Sequence, residues 1–458
     1  LRQAGGHKWW VLSVAAVGVL LATIDASIVN IALPTIKDYF HTSVQTIAWV
    51  TMSYLLVVTV FLLIFGRLSD AYGQKLVFVS GMAFFTAGSG LCALSGSAGQ
   101  LIAFRAFQGL GAAMIMSNTS AIVTNAFPPE QRGTGLGVIG GVVSVGLMLG
   151  PALGGIIIHY FGWQYIFLVN LPVGLGGVVL SLRILGEHRA DTETKLFHPL
   201  DSLLWIAGIS SFVLVFGVSS KGGFSFAEAG LYTCLSLVLI GLFFIRQFRS
   251  ERPLFYPYLL RNDIFMLSSA AGFFTYMGMM GVSFMMPFFL EKSIGLPPLQ
   301  TGKILMTVPA TTVFASPLAG FLSDKFGQRR IATTGLGIWL LSVTGLFMFN
   351  TETSTVTIVL NLVGLGLGLG LFGSPNNSAL MGSVDLKSRG SAAGLLATVR
   401  NLGMVSGIGI VSLMFNYALR LHQTSVQASY SNAFRQALPA VLAFSVVAMV
   451  FSALRRSV

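Results

Sequence analysis

Apolar runs of about 20 residues recur along this chain, each closed by a short polar break. Wound as a helix, a run of that length crosses the roughly 30 Å hydrocarbon core of a bilayer. Lipid leaves backbone polar groups without partners, so only helices and closed barrels can span it. A barrel would need alternating segments of about 10 residues, and the sequence has none. Charged residues make up only 9% of the 458, and the mean hydropathy is +0.80. Soluble domains carry about 25% charged residues. The expectation is an all-α polytopic membrane protein with the lipid bilayer as its solvent.

Fourteen such runs can be delimited: six in residues 1–186, two in 187–262 and six in 263–458. With the N-terminus in the cytoplasm, nineteen of the 27 Lys and Arg residues fall in inner loops and six in outer loops. That bias satisfies the positive-inside rule and predicts cytoplasmic termini at both ends. It also explains the net charge of +12 without nucleic acid, because the basic residues are scattered over short loops. Arg105 and Arg400 are the two that fall within spans. Cys92 and Cys234 both lie in apolar runs, which argues against a disulfide framework or a zinc site. The run that begins at Trp9 is too long for a signal-peptide core and reads as a retained first span.

Two matches expose a duplication. "GRLSDAYGQKLVF" (66–78) recurs as "GFLSDKFGQRRIA" (320–332), with Asp70 and Asp324 254 positions apart. "SNTSAIVTNAFPPEQRGTG" (117–135) recurs as "SPNNSALMGSVDLKSRGSA" (374–392), with Arg132 and Arg389 257 apart. Nearly equal offsets point to a duplicated six-span unit, a hallmark of secondary transporters whose substrate site lies between the halves. Residues 187–262 have no counterpart in the duplication.

Four motifs, in order and in the appropriate spans, make the chain resemble the major facilitator superfamily, specifically its fourteen-helix drug:proton antiporter branch. "LATIDASIVNIALPTI" (21–36) is similar to that branch's first-helix motif, with Asp25, Asn30 and Pro34 in order. "GRLSDAYGQKL" (66–76) resembles the superfamily loop motif, and "RAFQGLGAAM" (105–114) the fourth-helix motif with its buried arginine. "GLMLGPALGG" (146–155), followed by "WQYIFLVNLPVG" (163–174), resembles the antiporter motif. In the second half "GMVSGIG" (403–409) keeps the glycine spacing but lacks the proline. The resemblance covers essentially the whole chain. It implies two six-helix bundles, 1–186 and 263–458, with two additional helices and cytoplasmic linkers at 187–262.

Asp25 is the one acid well inside a span, where a charge costs roughly 2.5–3.5 kcal/mol and usually marks function. It is expected to carry the proton or recognise a cation; a purely structural partnership with Arg105 is the alternative. Arg105 is expected to tune Asp25 directly or through Gln108, against a role as a snorkelling anchor. Gly146, Gly150 and Gly154 share one helix face around Pro151, suited to close packing or to a gate. Asn30, Gln108, Asn376, Asn377, Arg400 and Asn401 are candidates to line a substrate cavity or to bond between helices. In the repeated loop, Asp70 and Asp324 are expected to pair with Arg67 and Lys75, and with Arg329 and Arg330, around turns at Gly73 and Gly327. Such pairs would form a latch between access states; the lesser reading is a topology signal alone.

The function expected is a proton-driven antiporter of the inner (plasma) membrane that exports amphipathic, cationic small molecules, acting as a monomer with no cofactor and no metal. A dedicated transporter of one metabolite, lipid or peptide is the alternative. A membrane-embedded enzyme lacks its constellation: His159 stands alone at a span end and no HExxH occurs. No P-loop is present for a nucleotide-driven pump, and the duplication favours alternating access over a channel.

Overall fold

The computed structural model describes residues 7–186, 198–217, 225–250, 253–254, 256–385, 389–421 and 425–455. The expected cytoplasmic linker at 187–197, the outer loop at 218–224 and positions 386–388 of the second repeat match lie outside them. The first half holds α1 (His7–Tyr39), α2 (Val44–Tyr72), α3 (Gln74–Ala93), α4 (Ala98–Ala126) and α5 (Arg132–Tyr160). It ends in a broken pair, α6 (Tyr165–Leu168) and α7 (Asn170–Ile184). Next come α8 (Pro199–Leu214) and α9 (Phe226–Arg249). The second half holds α10 (Asp263–Phe288), a second broken pair of α11 (Pro298–Leu305) and α12 (Thr307–Phe326), then α13 (Gln328–Leu346), α14 (Thr355–Gly382), α15 (Arg389–Leu421) and α16 (Val426–Leu454).

Among the described residues, eleven helical segments are long and apolar enough to cross a membrane. The fold is therefore an all-helical polytopic membrane fold. Three of the runs delimited from sequence are not among the eleven. Helix α8 is apolar but short, α4 carries Arg105, Gln108 and Asn118, and α13 opens on Gln328, Arg329 and Arg330. In α4 those polar side chains are buried inside the protein, so low hydropathy there reflects an inward polar face.

The duplication reappears as packing. Close helix approach in lipid depends on small residues, and the glycines of the two halves do the same job at the same offsets. In the first half a Cβ on Gly81 would meet the Met114 Cβ at 2.6 Å, and Gly111 faces the Phe85 backbone, locking α3 onto α4. In the second half a Cβ on Gly335 would meet the Gly368 carbonyl at 2.8 Å and one on Gly368 the Trp339 backbone at 2.7 Å, locking α13 onto α14. Ser97 and Ser354 cap α4 and α14 alike, each accepting from the backbone N–H three residues on, which satisfies a donor the helix itself cannot.

The halves meet along three seams. Helix α2 runs along α15, α1 touches α10, and α5 lies against α11. At the last seam a Cβ on Gly155 would meet the Pro298 carbonyl at 2.6 Å, and one on Gly302 would meet the Pro151 carbonyl. The α8–α9 pair packs on itself through Gly208 and Ile240 and is tied by an Arg246–Asp201 ion pair of 2.6 Å. Helix α8 then rests on the α2–α15 seam. The Trp205 indole donates to the Val60 carbonyl at 3.2 Å, the Gln45 amide donates to the Phe216 carbonyl at 3.1 Å, and Phe216 lies on Gly409.

Glycine packing sets a matched test. Gly111→Val must displace the α3 backbone, so it should lose about 1–3 kcal/mol, read as a lower thermal midpoint in detergent. Gly137→Ala, in α5 with nothing within 4 Å of the new methyl, should leave the midpoint unchanged or raise it, because alanine is the better helix former.

Candidate functional site

On α4, Arg105 and Gln108 are three positions apart and so share one face. That face points at Asp25 on α1. The Arg105 Nη1 donates to Asp25 Oδ2 at 2.5 Å and to Gln108 Oε1 at 2.6 Å. Gln108 Nε2 donates to Asp25 Oδ1 at 2.9 Å and to Ser89 Oγ on α3 at 2.7 Å. Asn170, the first residue of α7, donates from Nδ2 to the same Oδ1 at 3.0 Å. The guanidinium also donates through Nε to the Val50 carbonyl at 3.2 Å, and lies 4.2 Å from the ring centroid of Tyr54 on α2. Asp25, Arg105, Gln108 and Ser89 are all 0% exposed. One carboxylate thus joins α1, α3, α4 and α7.

The structure brings Asp25 and Arg105 together both directly and through Gln108. Gln108 itself belongs to this sealed network: its position on the Arg105 face turns it toward α1 and α3, and it is not among the residues that line the second-half cleft. Ser89 and Asn170 were not anticipated. Asn170 did leave a trace, as the lone amide in the apolar run 165–184, at the break between α6 and α7.

The small-residue face of α5 is pressed onto α1 around this acid. Gly146 faces Thr23, Gly150 faces Ser27, and Gly154 would place a Cβ 2.9 Å from Ile28. The stripe therefore packs within the first half, while Pro151 and Gly155 make the contact to α11. Helix α5 is sandwiched between the Asp25 helix and the opposite half. Asn30 is also at a junction: it accepts from Thr51 on α2 at 3.3 Å and donates to Ser283 on α10 at 3.4 Å.

The repeated motif differs from its expected form. It is no loop: α2 and α12 run on through Asp70 and Asp324, and one glycine in each (φ 97° at Gly73, 89° at Gly327) turns the chain directly into the next helix. An L side chain rarely adopts that backbone, so the glycines are required. Both carboxylates are exposed on C-terminal turns, and among the described residues neither forms an ion pair with Arg67, Lys75, Arg329 or Arg330. Negative charge is also disfavoured at that end of a helix. Arg67 donates instead to the Pro253 carbonyl at 2.7 Å. Glutamines make the ties that acids were expected to make: Asn125 donates to Gln74 at 3.2 Å, and Gln328 donates to Ser378 at 3.0 Å.

In the second half, Asn376, Asn377 and Arg400 line one cleft of about 10 Å³ with Ser269 and Tyr276. Asn401 is buried beside it and is not part of its lining. At the end where α1 and α10 finish, Lys292 pairs with Asp38, which Lys37 also contacts at 3.2 Å. That ion pair across the halves was not foreseen, since its partners lie 254 residues apart.

A double-mutant cycle probes the network. Arg105→Gln leaves a buried carboxylate without its counter-charge and should destabilise the protein by about 3–5 kcal/mol. Adding Asp25→Asn should recover most of that loss in a thermal melt. A loss that persists in the double variant would assign Arg105 to packing on Tyr54.

Comparisons with known proteins agree with this architecture. Residues 15–408 match the model of the Major Facilitator Superfamily. The chain is 34% identical over 418 residues to the riboflavin transporter RibZ of Clostridioides difficile strain 630, covering 91% of this chain and 90% of that one. It is 28% identical over 343 residues to the tetracenomycin C resistance and export protein of Streptomyces glaucescens, covering 74% and 63%. Among solved structures, a bacterial homologue of the human lysosomal transporter Spinster has the same fold, with a TM-score of 0.71 and 16% identity over 99% of this chain and 97% of that one. The chain belongs to the major facilitator superfamily and is a transporter, not an enzyme.

Proposed function

We propose that this protein is a proton-driven antiporter with fourteen spans, seated in the inner (plasma) membrane with both termini in the cytoplasm, which exports amphipathic small molecules as a monomer. The observation that carries the reading is the Asp25 network: a carboxylate at 0% exposure, held by Arg105, Gln108 and Asn170 from two other helices. A proton placed on Asp25 removes the charge that Arg105 answers and takes away an acceptor site from the two amides. The ties from α1 to α4 and α7 then weaken together. Because α5 is packed on α1 at one face and on α11 at the other, a shift of α1 reaches the seam between the halves. Coupling needs no cofactor beyond the proton gradient.

A second reading, a dedicated exporter or importer of one metabolite, draws support from the 34% identity to a riboflavin transporter over nearly the full length. Competition separates the two: unrelated dyes and antiseptics should inhibit a broad exporter and leave a dedicated one unaffected.

In reconstituted vesicles with an imposed pH gradient, Asp25→Asn should abolish gradient-driven substrate movement; retained coupling would move the proton site elsewhere. Asp70→Asn should reduce the transport rate with normal insertion and folding, if the repeated turn acts in switching between access states. Wild-type rates in that variant would confine the motif to topology.

A further inference from the structure

Among the described residues, the second half contains a cation that forms no ion pair with an acid. Arg400 on α15 is half-buried, faces the cleft it shares with Ser269, Tyr276, Asn376 and Asn377, and lies 5.7 Å from the Tyr276 ring centroid. Its Nε is buried without a hydrogen-bond partner, and among the described residues it forms no ion pair. The Ser269 hydroxyl, only 5% exposed, lines the same cleft and is likewise without a partner. Behind the cleft stands a second arginine. Arg455, 1% exposed, donates to Asn376 Oδ1 at 2.9 Å and to Ser268 Oγ at 3.1 Å, and its Nε and Nη2 have no partner. No carboxylate lines the cleft. In the first half, by contrast, the Asp25 charge is matched by Arg105 and sealed from access. The polar wall open to a substrate is therefore positive.

Buried donors without acceptors are unfavourable unless something accepts from them. A guanidinium presents its donors in a plane that suits a planar oxyanion. We propose that the Arg400 cleft is the subsite for a substrate oxyanion, so that the molecules this protein carries are amphipathic organic anions. A carboxylate or a delocalised phenolate oxygen accepts from Arg400 and from the Ser269 hydroxyl, and an aromatic body lies against Phe273 and Tyr276. At about 10 Å³, close to one water, the cleft takes the charged oxygen and leaves the body outside it. The proposal rests on the reading of the chain as an exporter of amphipathic molecules, and it replaces the cationic class expected from sequence with an anionic one.

Two xanthene dyes of similar shape and opposite charge provide the test: fluorescein (anionic) and rhodamine 123 (cationic), bound to the full-length protein in nanodiscs and read by fluorescence polarisation. Fluorescein should bind at least about tenfold tighter, the scale of one charge-assisted contact. Arg400→Gln should remove that preference by weakening fluorescein alone, and Arg400→Lys should restore part of it. Asn377→Asp, at an exposed position, adds a competing carboxylate without disturbing the core and should weaken fluorescein too. Equal binding of the two dyes, binding of neither, equal losses of both in Arg400→Gln, or fluorescein affinity unchanged in Asn377→Asp would each overturn the proposal. Arg400-dependent binding without movement under a pH gradient would remove the antiport reading and leave the subsite standing. Gradient-driven movement with charge-blind binding would do the reverse.

Discussion

A carboxylate sealed in the membrane-spanning core needs its counter-charge, and the Asp25–Arg105 contact at 2.5 Å supplies it. Much of the first half is arranged to keep that contact. Gln108 and Asn170 both donate to the other oxygen of Asp25, Tyr54 covers the guanidinium, and Ser89 accepts from both amides. Four other helices, α2, α3, α4 and α7, are thereby gathered around α1. Breaking such a pair by removing one partner is far more costly than losing a surface ion pair. One carboxylate therefore holds several helices together.

The duplicated half makes no copy of this arrangement. By the offsets that align the glycine contacts, Ser89, Arg105 and Gln108 correspond to Val343, Leu362 and Leu365, all 0% exposed and part of the apolar core. The backbone frame has been kept and the chemistry has diverged. One half holds a matched and closed pair of charges, while the other holds Arg400 and Arg455 with no acid among the described residues to match them. Between them α5 is fitted by small residues on both sides, against α1 through Gly146, Gly150 and Gly154 and against α11 through Gly155. The α8–α9 pair, which has no counterpart in the duplication, lies on the α2–α15 seam and bridges the same two halves from outside.

Legibility in the sequence followed the range of the interaction. Hydrophobic runs and loop charges are local, so the helical segments and the membrane class could be read directly. Asp25 and Arg105 stood out because an ionised residue inside a span is rare and costly, and their meeting could be anticipated from similar depth. Ser89 and Asn170 could not, because a serine or an asparagine in a span has many uses. The acids of the repeated motif misled for a related reason. Charge complementarity along the sequence suggested pairs, but the helices continue through Asp70 and Asp324 and point them into solvent.

By itself the sequence determined the membrane as solvent, the duplicated frame and the two ionisable groups buried in the first half. Each of these follows from the transfer energy of a side chain or backbone group into lipid, which depends on residue type and local pattern. Only the tertiary structure decided which polar groups close the Asp25 network, which face of α5 meets which helix, and that Arg400 and Ser269 share one cleft. Those are contacts between residues tens to hundreds of positions apart, set by how glycine-lined helices dock. That docking is a matter of shape, which the order of residue types along the chain does not state.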